Sequence, residues 1–344
     1  METTNIALGM TLAIIAGTFL GSFALPMKKI KSWQWEHTWI MYSLWATIIL
    51  PVALALFTIP NLGSIYTTVP FMTILTVFLF GAGWGVANVG FGLGLKMVGL
   101  AMGTAIVLGI NNAIGSILPI ILYHPEDFLK PGGMAITAAV LVMITGIILC
   151  SIAGGKRDKA LKAADTVGLI EKGAYARGLI ICVVAGVFGA MFNFALIAGK
   201  PLEELAMING ASQLNLANGT WVISLSGGFV VTLAYAIYLY RKNKSFALFT
   251  QKGTSINWIH TAIMGTMWFG GVALFGMAVM NLGKLGPSIG WPVIQSMAVI
   301  SGNVLGIATG EWKGSGKKPL QIMLSGLILL LVGIAIIGWS STLS

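Results

Sequence analysis

The sequence predicts an all-α integral membrane protein with ten transmembrane helices in two inverted five-helix repeats. Long apolar runs contain none of its ten Asp and Glu residues, and only 9% of the chain is charged against 57% hydrophobic. A charged residue at the centre of a bilayer costs about 2.5 to 3.5 kcal/mol, so charges confined to gaps indicate that the runs lie in hydrocarbon. All but three of the 20 Lys and Arg residues fall in alternate gaps, which indicates an even number of spans.

A helix that crosses the hydrocarbon core needs about 20 mostly apolar residues. Ten runs meet this length: 6–25, 39–59, 71–95, 100–123, 132–153, 178–199, 221–240, 258–282, 287–309 and 320–339. Lys96 and Gly99 mark the break between the third and fourth runs. The first run carries its lysines after it and none before it, which favours a retained first helix over a cleaved signal peptide.

The basic residues predict the orientation. One side of the bundle receives Lys28, Lys29, Lys31, Lys96, Lys156, Arg157, Lys159, Lys162, Lys172, Arg177, Arg241, Lys242, Lys244, Lys252, Lys313, Lys317 and Lys318. The other side receives Lys130, Lys200 and Lys284. By the positive-inside rule the first side is cytoplasmic, and both termini are then periplasmic. The basic gaps next to apolar runs favour this topological role over nucleic-acid binding.

The chain also matches itself. An offset of 184 pairs Gly81, Trp84, Phe91, Gly92 and Gly99 with Gly265, Trp268, Phe275, Gly276 and Gly283. An offset of 169 pairs Ala16, Gly17, Phe19 and Phe23 with Ala185, Gly186, Phe188 and Phe192. We therefore expect a first five-helix repeat at 1–153, a cytoplasmic linker at 154–177 and a second repeat at 178–344. The linker pattern fits either a short solvated helix or an irregular connection.

Five spans per repeat is an odd number, so the two repeats must have opposite orientations in the membrane. This is the design of secondary transporters, whose substrate site lies near the midplane where the repeats meet. Uncharged polar groups within the spans are the candidate substrate contacts, because each is costly in lipid without a partner. They are Trp84, Asn88, Asn111, Asn112, Asn193, Trp268, Trp291 and Gln295, with Asn303 further along the ninth span.

Amides that donate and accept hydrogen bonds beside aromatic planes suit a neutral polyhydroxy ligand such as a sugar. The alternative is hydrogen bonding between helices for the amides and interfacial anchoring for the tryptophans. The spans contain no charged residue that would pair with an ionic substrate, which favours a neutral one. His124 and Glu126 lie in an external loop, and Cys150 and Cys182 lie in apolar runs, where packing is the default.

Glu36 and His260 are the candidate proton carriers, since they lie near the cytoplasmic ends of the second and eighth spans and histidine titrates near neutral pH. A structural histidine at a helix end is equally compatible. Sodium coupling is an alternative, because Pro292 beside Gly290 could break the ninth helix and free backbone carbonyls as ligands. We find no phosphate loop, zinc helix or nucleophile elbow, and therefore predict no enzyme activity, cofactor or metal site.

Several segments resemble the L-rhamnose–proton symporter family. They are PMKKIKSWQWE at 26–36, GAGWGVAN at 81–88, the run on to Gly103, His260 followed by Met267 and Trp268, EWK at 311–313 and GKKP at 316–319. The resemblance covers nearly the whole chain in order. It implies the drug/metabolite transporter superfamily, ten helices in two inverted halves, and uptake of a sugar, most specifically L-rhamnose, with a proton across a bacterial inner membrane.

The chain departs from that resemblance where a substrate or coupling site is expected. Residues 287–295 read PSIGWPVIQ instead of carrying acidic and tyrosine residues, and the sixth span differs after Asn193. The alternatives are therefore a sodium-coupled or uncoupled transporter, or an exporter, of another small neutral metabolite. A membrane-embedded enzyme is a third class, for which the sequence shows no catalytic constellation.

Overall fold

The computed structural model describes residues 4–161, 172–340 and 343. Within them, ten helices are long and apolar enough to cross a membrane, which confirms the predicted all-α membrane fold. In chain order the spans consist of Ile6–Ser22; Trp35–Leu44 with Trp45–Ile49 and Leu50–Thr58; Phe71–Val98; Leu100–Tyr123; Pro131–Ala160; Lys172–Gly189 with Met191–Ala198; Asn218–Asn243; Ser255–Asn281; Gly286–Ala308; and Lys317–Ser340. We number these spans first to tenth.

Shorter helices lie between the spans. They are the α-helices Leu62–Thr68, Pro125–Phe128 and Lys200–Ile208 and the 3-10 helices Leu25–Lys29, Gln213–Asn215 and Phe246–Thr250. Part of the expected linker is helical, because the fifth span continues to Ala160. Its last turns carry Lys156, Arg157 and Lys159, which can remain solvated past the hydrocarbon. Residues 162–171 of the expected linker lie outside the described residues.

Spans from the two halves of the chain pack against each other. The first span contacts the eighth and ninth, the third contacts the sixth and seventh, the second contacts the seventh and eighth, and the fifth contacts the tenth. The fourth span contacts the sixth and ninth. Lipid offers no hydrophobic drive between helices, so close packing of small residues holds such pairs together. At Gly81 of the third span a side chain would overlap the Ser224 carbonyl of the seventh.

Two spans depart from a regular α-helix. The second has a π-helical segment at Trp45–Ile49, and the sixth is interrupted at Ala190 between its two helices. The fourth contains Pro119 and the ninth contains Pro292, and both helices continue through their proline. The expectation that Pro292 breaks the ninth helix is therefore wrong. One missing N–H leaves a single carbonyl without its helical donor, and neighbouring helices can supply another donor.

Side-chain contacts connect the gaps between spans into two groups at opposite ends of the bundle. Lys28 binds Glu311, which also accepts a hydrogen bond from Arg157 at 3.3 Å. Lys284 binds Glu126 and Asp127 at 2.7 and 2.6 Å. We call the end with Lys28 and Arg157 the basic end and the other the opposite end. The grouping matches the alternation of gaps predicted from charge.

Candidate functional site

An aromatic cluster lies where the third, sixth, seventh, eighth and ninth spans meet. Trp84 stacks on Trp268 with ring centroids 5.3 Å apart and lies 5.1 Å from Phe192. Phe192 in turn stacks on Trp221 at 4.9 Å and lies 5.9 Å from Trp291. The sequence analysis named Trp84, Trp268 and Trp291 separately, and the structure brings all three around Phe192. We call these five rings, with the neighbouring amides Asn111, Asn112 and Asn193, the central cluster.

The Asn193 amide joins the broken sixth span to its two neighbours. Its Nδ2 donates to the Gly115 carbonyl at 2.7 Å and to the Pro287 carbonyl at 3.1 Å. Pro119 explains the first bond: it lies four residues after Gly115 and has no N–H to donate to the Gly115 carbonyl. Asn193 therefore replaces a helical hydrogen bond that proline removes.

The fourth and ninth spans meet beside this bond. Trp291 Nε1 donates to the Asn111 carbonyl at 3.2 Å. The indole lies against Gly115, where any side chain would overlap it. Glycine at this position therefore permits Trp291 to enter the central cluster.

Several buried polar atoms around the central cluster have no hydrogen-bond partner within the described part of the chain. They are Asn111 Oδ1, Asn112 Nδ2, Asn193 Oδ1, Trp221 Nε1, Ser224 Oγ and Ser296 Oγ. An unmade hydrogen bond of this kind costs about 1 to 3 kcal/mol. Both donors and acceptors are present, and each hydroxyl of a sugar can both donate and accept. The set therefore suits a polyhydroxy ligand better than an anion or a cation.

The predicted residues differ in their surroundings. Asn112 is fully buried, and its only side-chain hydrogen bond among the described residues is a long one of 3.4 Å, donated by Ser116 Oγ of the same helix. Asn88 and Gln295 are half-buried, and no hydrogen bond to either side chain occurs among the described residues. Asn303 Nδ2 donates to the Val299 carbonyl of its own helix at 2.9 Å, whereas the structural alternative in the sequence analysis was hydrogen bonding between helices.

Sequence reasoning missed Trp221, Ser224 and Ser296 as site residues. Trp221 marked the start of a span in the sequence, where tryptophan normally indicates an interface. It is instead fully buried, and its indole faces Gly276, where a Cβ would lie 2.8 Å from Nε1. Phe192, which stacks on Trp221, matches Phe23 in the internal repeat. This match was the signal in the sequence that could have pointed to this part of the cluster.

Glu36 and His260 lie near the basic end, and His260 precedes Trp268 of the central cluster on the same helix. Glu36 is 3% exposed, and its Oε1 accepts hydrogen bonds from Asn243 Nδ2 at 2.9 Å and Ser245 Oγ at 2.7 Å. These bonds connect the second span to the end of the seventh. The fully buried His37 beside it bonds the Ser245 carbonyl at 2.9 Å. His260 is half-buried on the eighth span.

Two cavities flank the central cluster along the fourth and ninth spans. The first, of about 180 Å³, lies toward the opposite end, and we call it the vestibule. Its lining includes Tyr123, His124, Lys200, Glu203, Pro287 and Ser288. The second, of about 240 Å³, lies toward the basic end and is bounded by Thr104, Asn303, Arg157 and Trp312. A continuous path between the ends would pass through the central cluster.

A group of ion pairs lies beside the vestibule and reaches it through Lys284, which lines the cavity. Hydrogen bonds from Lys130 and Lys284 hold the pKa of Asp127 down to about 2, and Lys284 likewise lowers the pKa of Glu126. Partial burial lowers the pKa of His124, and the nearby Lys284 ammonium lowers it further. At neutral pH the two carboxylates are therefore ionised and His124 is uncharged.

Comparison with known proteins identifies the family. A family profile described as L-rhamnose-proton symport protein (RhaT) matches residues 2–342. The chain is similar to an L-rhamnose-proton symporter of Mannheimia succiniciproducens, with 30% identity over 97% of this chain and 98% of the relative. It is also similar to L-rhamnose-proton symporters of Yersinia pestis and Pectobacterium atrosepticum, each 28% identical over 97% of both chains.

The fold has a counterpart among solved structures. A crystal structure of a protein 14% identical in sequence superimposes with a TM-score of 0.58 and covers 96% of each chain. At this identity the likeness concerns the fold alone. The profile match over nearly the whole chain confirms the resemblance seen in the sequence and gives a transporter family, not an enzyme family. The chain is a multi-pass membrane protein and belongs to the L-rhamnose-proton symport protein (RhaT) family.

Proposed function

We propose that this protein imports a neutral sugar, L-rhamnose, together with a proton across the bacterial inner membrane. The unpartnered donors and acceptors around the central cluster carry the proposal, because a sugar would satisfy them. The named relatives supply the sugar and the ion. Trp84, Trp268 and Trp291 would present ring faces to the sugar, and Asn88, Asn111, Asn112, Asn193 and Gln295 would supply amides.

We propose that the two halves, 1–153 and 178–344, form inverted repeats. The packing supports this, because exchanging each span with the span five places later turns the contacts of the first span with the eighth and ninth into those of the sixth with the third and fourth, and leaves the pairs fifth–tenth and fourth–ninth unchanged. The matched pair Gly17 and Gly186 follows the same rule. A Cβ at Gly17 would overlap Met297 of the ninth span, and one at Gly186 would lie 2.7 Å from Ile110 of the fourth.

The matched pair Trp84 and Trp268 stacks together, as expected for residues on either side of a two-fold axis. Two such halves can exchange inward-open and outward-open arrangements around one site, which is the basis of alternating access.

The basic end is proposed to be cytoplasmic and both termini periplasmic, in agreement with the positive-inside rule. A cysteine placed at Lys130 should react with an impermeant maleimide added to intact cells, and one at Lys159 should react only after permeabilisation. The reverse pattern would overturn this orientation.

Glu36 and His260 are the proposed proton carriers. Glu36 accepts hydrogen bonds from two residues near the end of the seventh span. A carboxylate is a stronger acceptor than a carboxylic acid, so proton uptake would weaken this contact between spans. Proton binding would thereby be linked to a change in helix packing, which is what coupling requires.

Uptake of radiolabelled L-rhamnose into right-side-out vesicles tests the function. An imposed inward proton gradient should drive accumulation above equilibrium, and an equal sodium gradient should not. Accumulation driven by sodium alone would favour the sodium-coupled alternative. Equilibration without accumulation under either gradient would favour an uncoupled carrier.

Asn112→Ala tests the site. Because Asn112 Nδ2 has no partner in the described protein, the variant should fold, while sugar affinity should fall about 5- to 150-fold from the loss of 1 to 3 kcal/mol. The matched control is Asn281→Ala, another buried asparagine, whose Nδ2 bonds its own helix through Met277. Equal affinity in the two variants would exclude Asn112 from the site.

A further inference from the structure

The vestibule is a cavity with both polar and apolar lining, and it is separate from the central cluster. Glu203, which is 9% exposed, and Ser288, which is 2% exposed, both line it. Its volume of about 180 Å³ corresponds to about six water molecules at the density of the liquid, which is enough for a monosaccharide. Tyr123 adds an aromatic ring to the lining.

The charges around the vestibule nearly cancel. Lys284 is paired with Glu126 and Asp127, and the lowered pKa of His124 leaves its imidazole uncharged at neutral pH. Lys200 and Glu203 contribute one charge of each sign to the lining. A cavity with polar groups of both kinds and little net charge is complementary to a neutral polyhydroxy molecule.

We propose that the vestibule is a second sugar-binding site, in which Glu203 accepts hydrogen bonds from sugar hydroxyls before the sugar reaches the central cluster. The proposal rests on the proposed sugar transport and adds a site to it. The vestibule borders the central cluster, which places it on the proposed transport path. Pro119 and Pro287 line the vestibule. The Pro287 carbonyl also accepts a hydrogen bond from Asn193 of the central cluster, so this bond lies between the vestibule and the aromatic rings.

Protection of a cysteine tests the site without requiring transport. The native thiols Cys150 and Cys182 are buried, at 6% and 0% exposure, so Ser288→Cys would supply the reactive thiol. L-rhamnose should slow its reaction with an impermeant maleimide, and should leave the rate unchanged at Ser64→Cys, an exposed position at the same end. Lys200→Cys is the second reporter if Ser288→Cys does not fold or react.

Asn112→Ala separates the two sites. Protection at Ser288→Cys should persist at similar sugar concentrations when Asn112→Ala weakens the central site. Protection that disappears in this double variant would place the sugar only in the central cluster and overturn the proposal. Absence of protection at both reporters would also overturn it. Protection by D-glucose but not by L-rhamnose would support the vestibule and overturn the proposed substrate.

Glu203→Gln should raise the L-rhamnose concentration needed for half-protection by about tenfold or more, because a hydrogen bond to a charged carboxylate is stronger than one to a neutral amide. Its matched control is Glu204→Gln, the next residue of the same short helix, whose side chain is exposed. In this control, L-rhamnose should protect the reporter cysteine at the same concentrations as it does when Glu204 is unchanged. Equal protection in the two variants would exclude Glu203 as a ligand of the sugar.

Discussion

The two ends of the bundle are charged in different ways. At the basic end, Glu311 binds both Lys28 and Arg157, and it thereby connects the gap after the first span to the end of the fifth and to the gap after the ninth. The Arg157 guanidinium also lies over the Trp312 ring at 5.1 Å. At the opposite end, Lys284 binds two carboxylates and also lines the vestibule.

Ion pairs nevertheless join the two halves of the chain at both ends, through Glu311 at the basic end and through Lys284 at the opposite end. Each end also has a cavity, of about 240 Å³ at the basic end and about 180 Å³ at the opposite end. We expect the two ends to open in turn, with the Glu311 ion pairs holding the basic end together while the vestibule is accessible. Glu36, with its bonds to Asn243 and Ser245, adds a second connection at the basic end.

The strongest test of this comparison fixes the basic end permanently. The double variant Lys28→Cys, Glu311→Cys should be joined by a short bifunctional maleimide, because the native side chains form an ion pair. Cross-linking should abolish sugar uptake, since alternating access needs this end to open. Maleimide labelling at the vestibule should continue. Transport that persists after complete cross-linking would show that this end does not open, and each single variant serves as the control.

The next test concerns coupling at the basic end. Glu36→Gln keeps an oxygen acceptor for Asn243 and Ser245 but cannot take up a proton. Accumulation driven by a pH gradient should therefore be lost, while sugar exchange without a gradient should continue, because exchange needs only the sugar site and the conformational change. The same measurement on His260→Gln tests the second candidate. Unchanged accumulation in both variants would exclude both as carriers.

A smaller effect is expected from the ion pairs alone. Glu311→Gln removes the charge that both Lys28 and Arg157 contact, and partly exposed pairs of this kind contribute about 0.2 to 1 kcal/mol each. The balance should shift toward the inward-open arrangement by about 2- to 30-fold for two pairs. The measurement is the rate of vestibule labelling at Ser288→Cys, which should fall. An unchanged rate would show that these ion pairs do not hold the basic end closed.

The sequence was sufficient for the ten spans because hydrocarbon imposes one simple rule, that charges stay outside it. The same rule underestimates helix length at the ends. The fifth helix continues to Ala160 because a helix can leave the membrane with its charged turns solvated. Helix irregularities were harder to foresee: Pro292 was expected to break a helix that continues, and Pro119 carried no prediction although Asn193 compensates for it.

For the candidate site, the sequence predicted which side chains take part but not which groups each of them contacts. Asparagines and tryptophans within spans identified Asn111, Asn112, Asn193, Trp84, Trp268 and Trp291, which the structure places in or beside one cluster. The sequence could not show that Trp221 is buried with an indole N–H that has no partner in the part of the chain that the structure describes, because this depends on which helices pack around it. The vestibule was not predicted, because it lies between the ends of the fourth, sixth, eighth and ninth spans and the short segments after them, whose relative positions depend on tertiary packing.

The smallest expected effect sharpens the comparison at the opposite end. Lys284 lowers the pKa of His124 through its charge, in addition to the effect of burial. Lys284→Met should therefore raise the pKa of His124 toward its ordinary value, so the imidazole should begin to protonate at a higher pH than in the native protein. The pKa of Asp127, held at about 2 by Lys130 and Lys284, should rise as well but stay below neutrality. The pH dependence of the histidine NMR signals measures the first shift directly. Lys313→Met is the control, since it removes one positive charge from the basic end and should leave the pKa of His124 unchanged. A His124 pKa that does not move in Lys284→Met would mean that the charge of Lys284 does not contribute to lowering it.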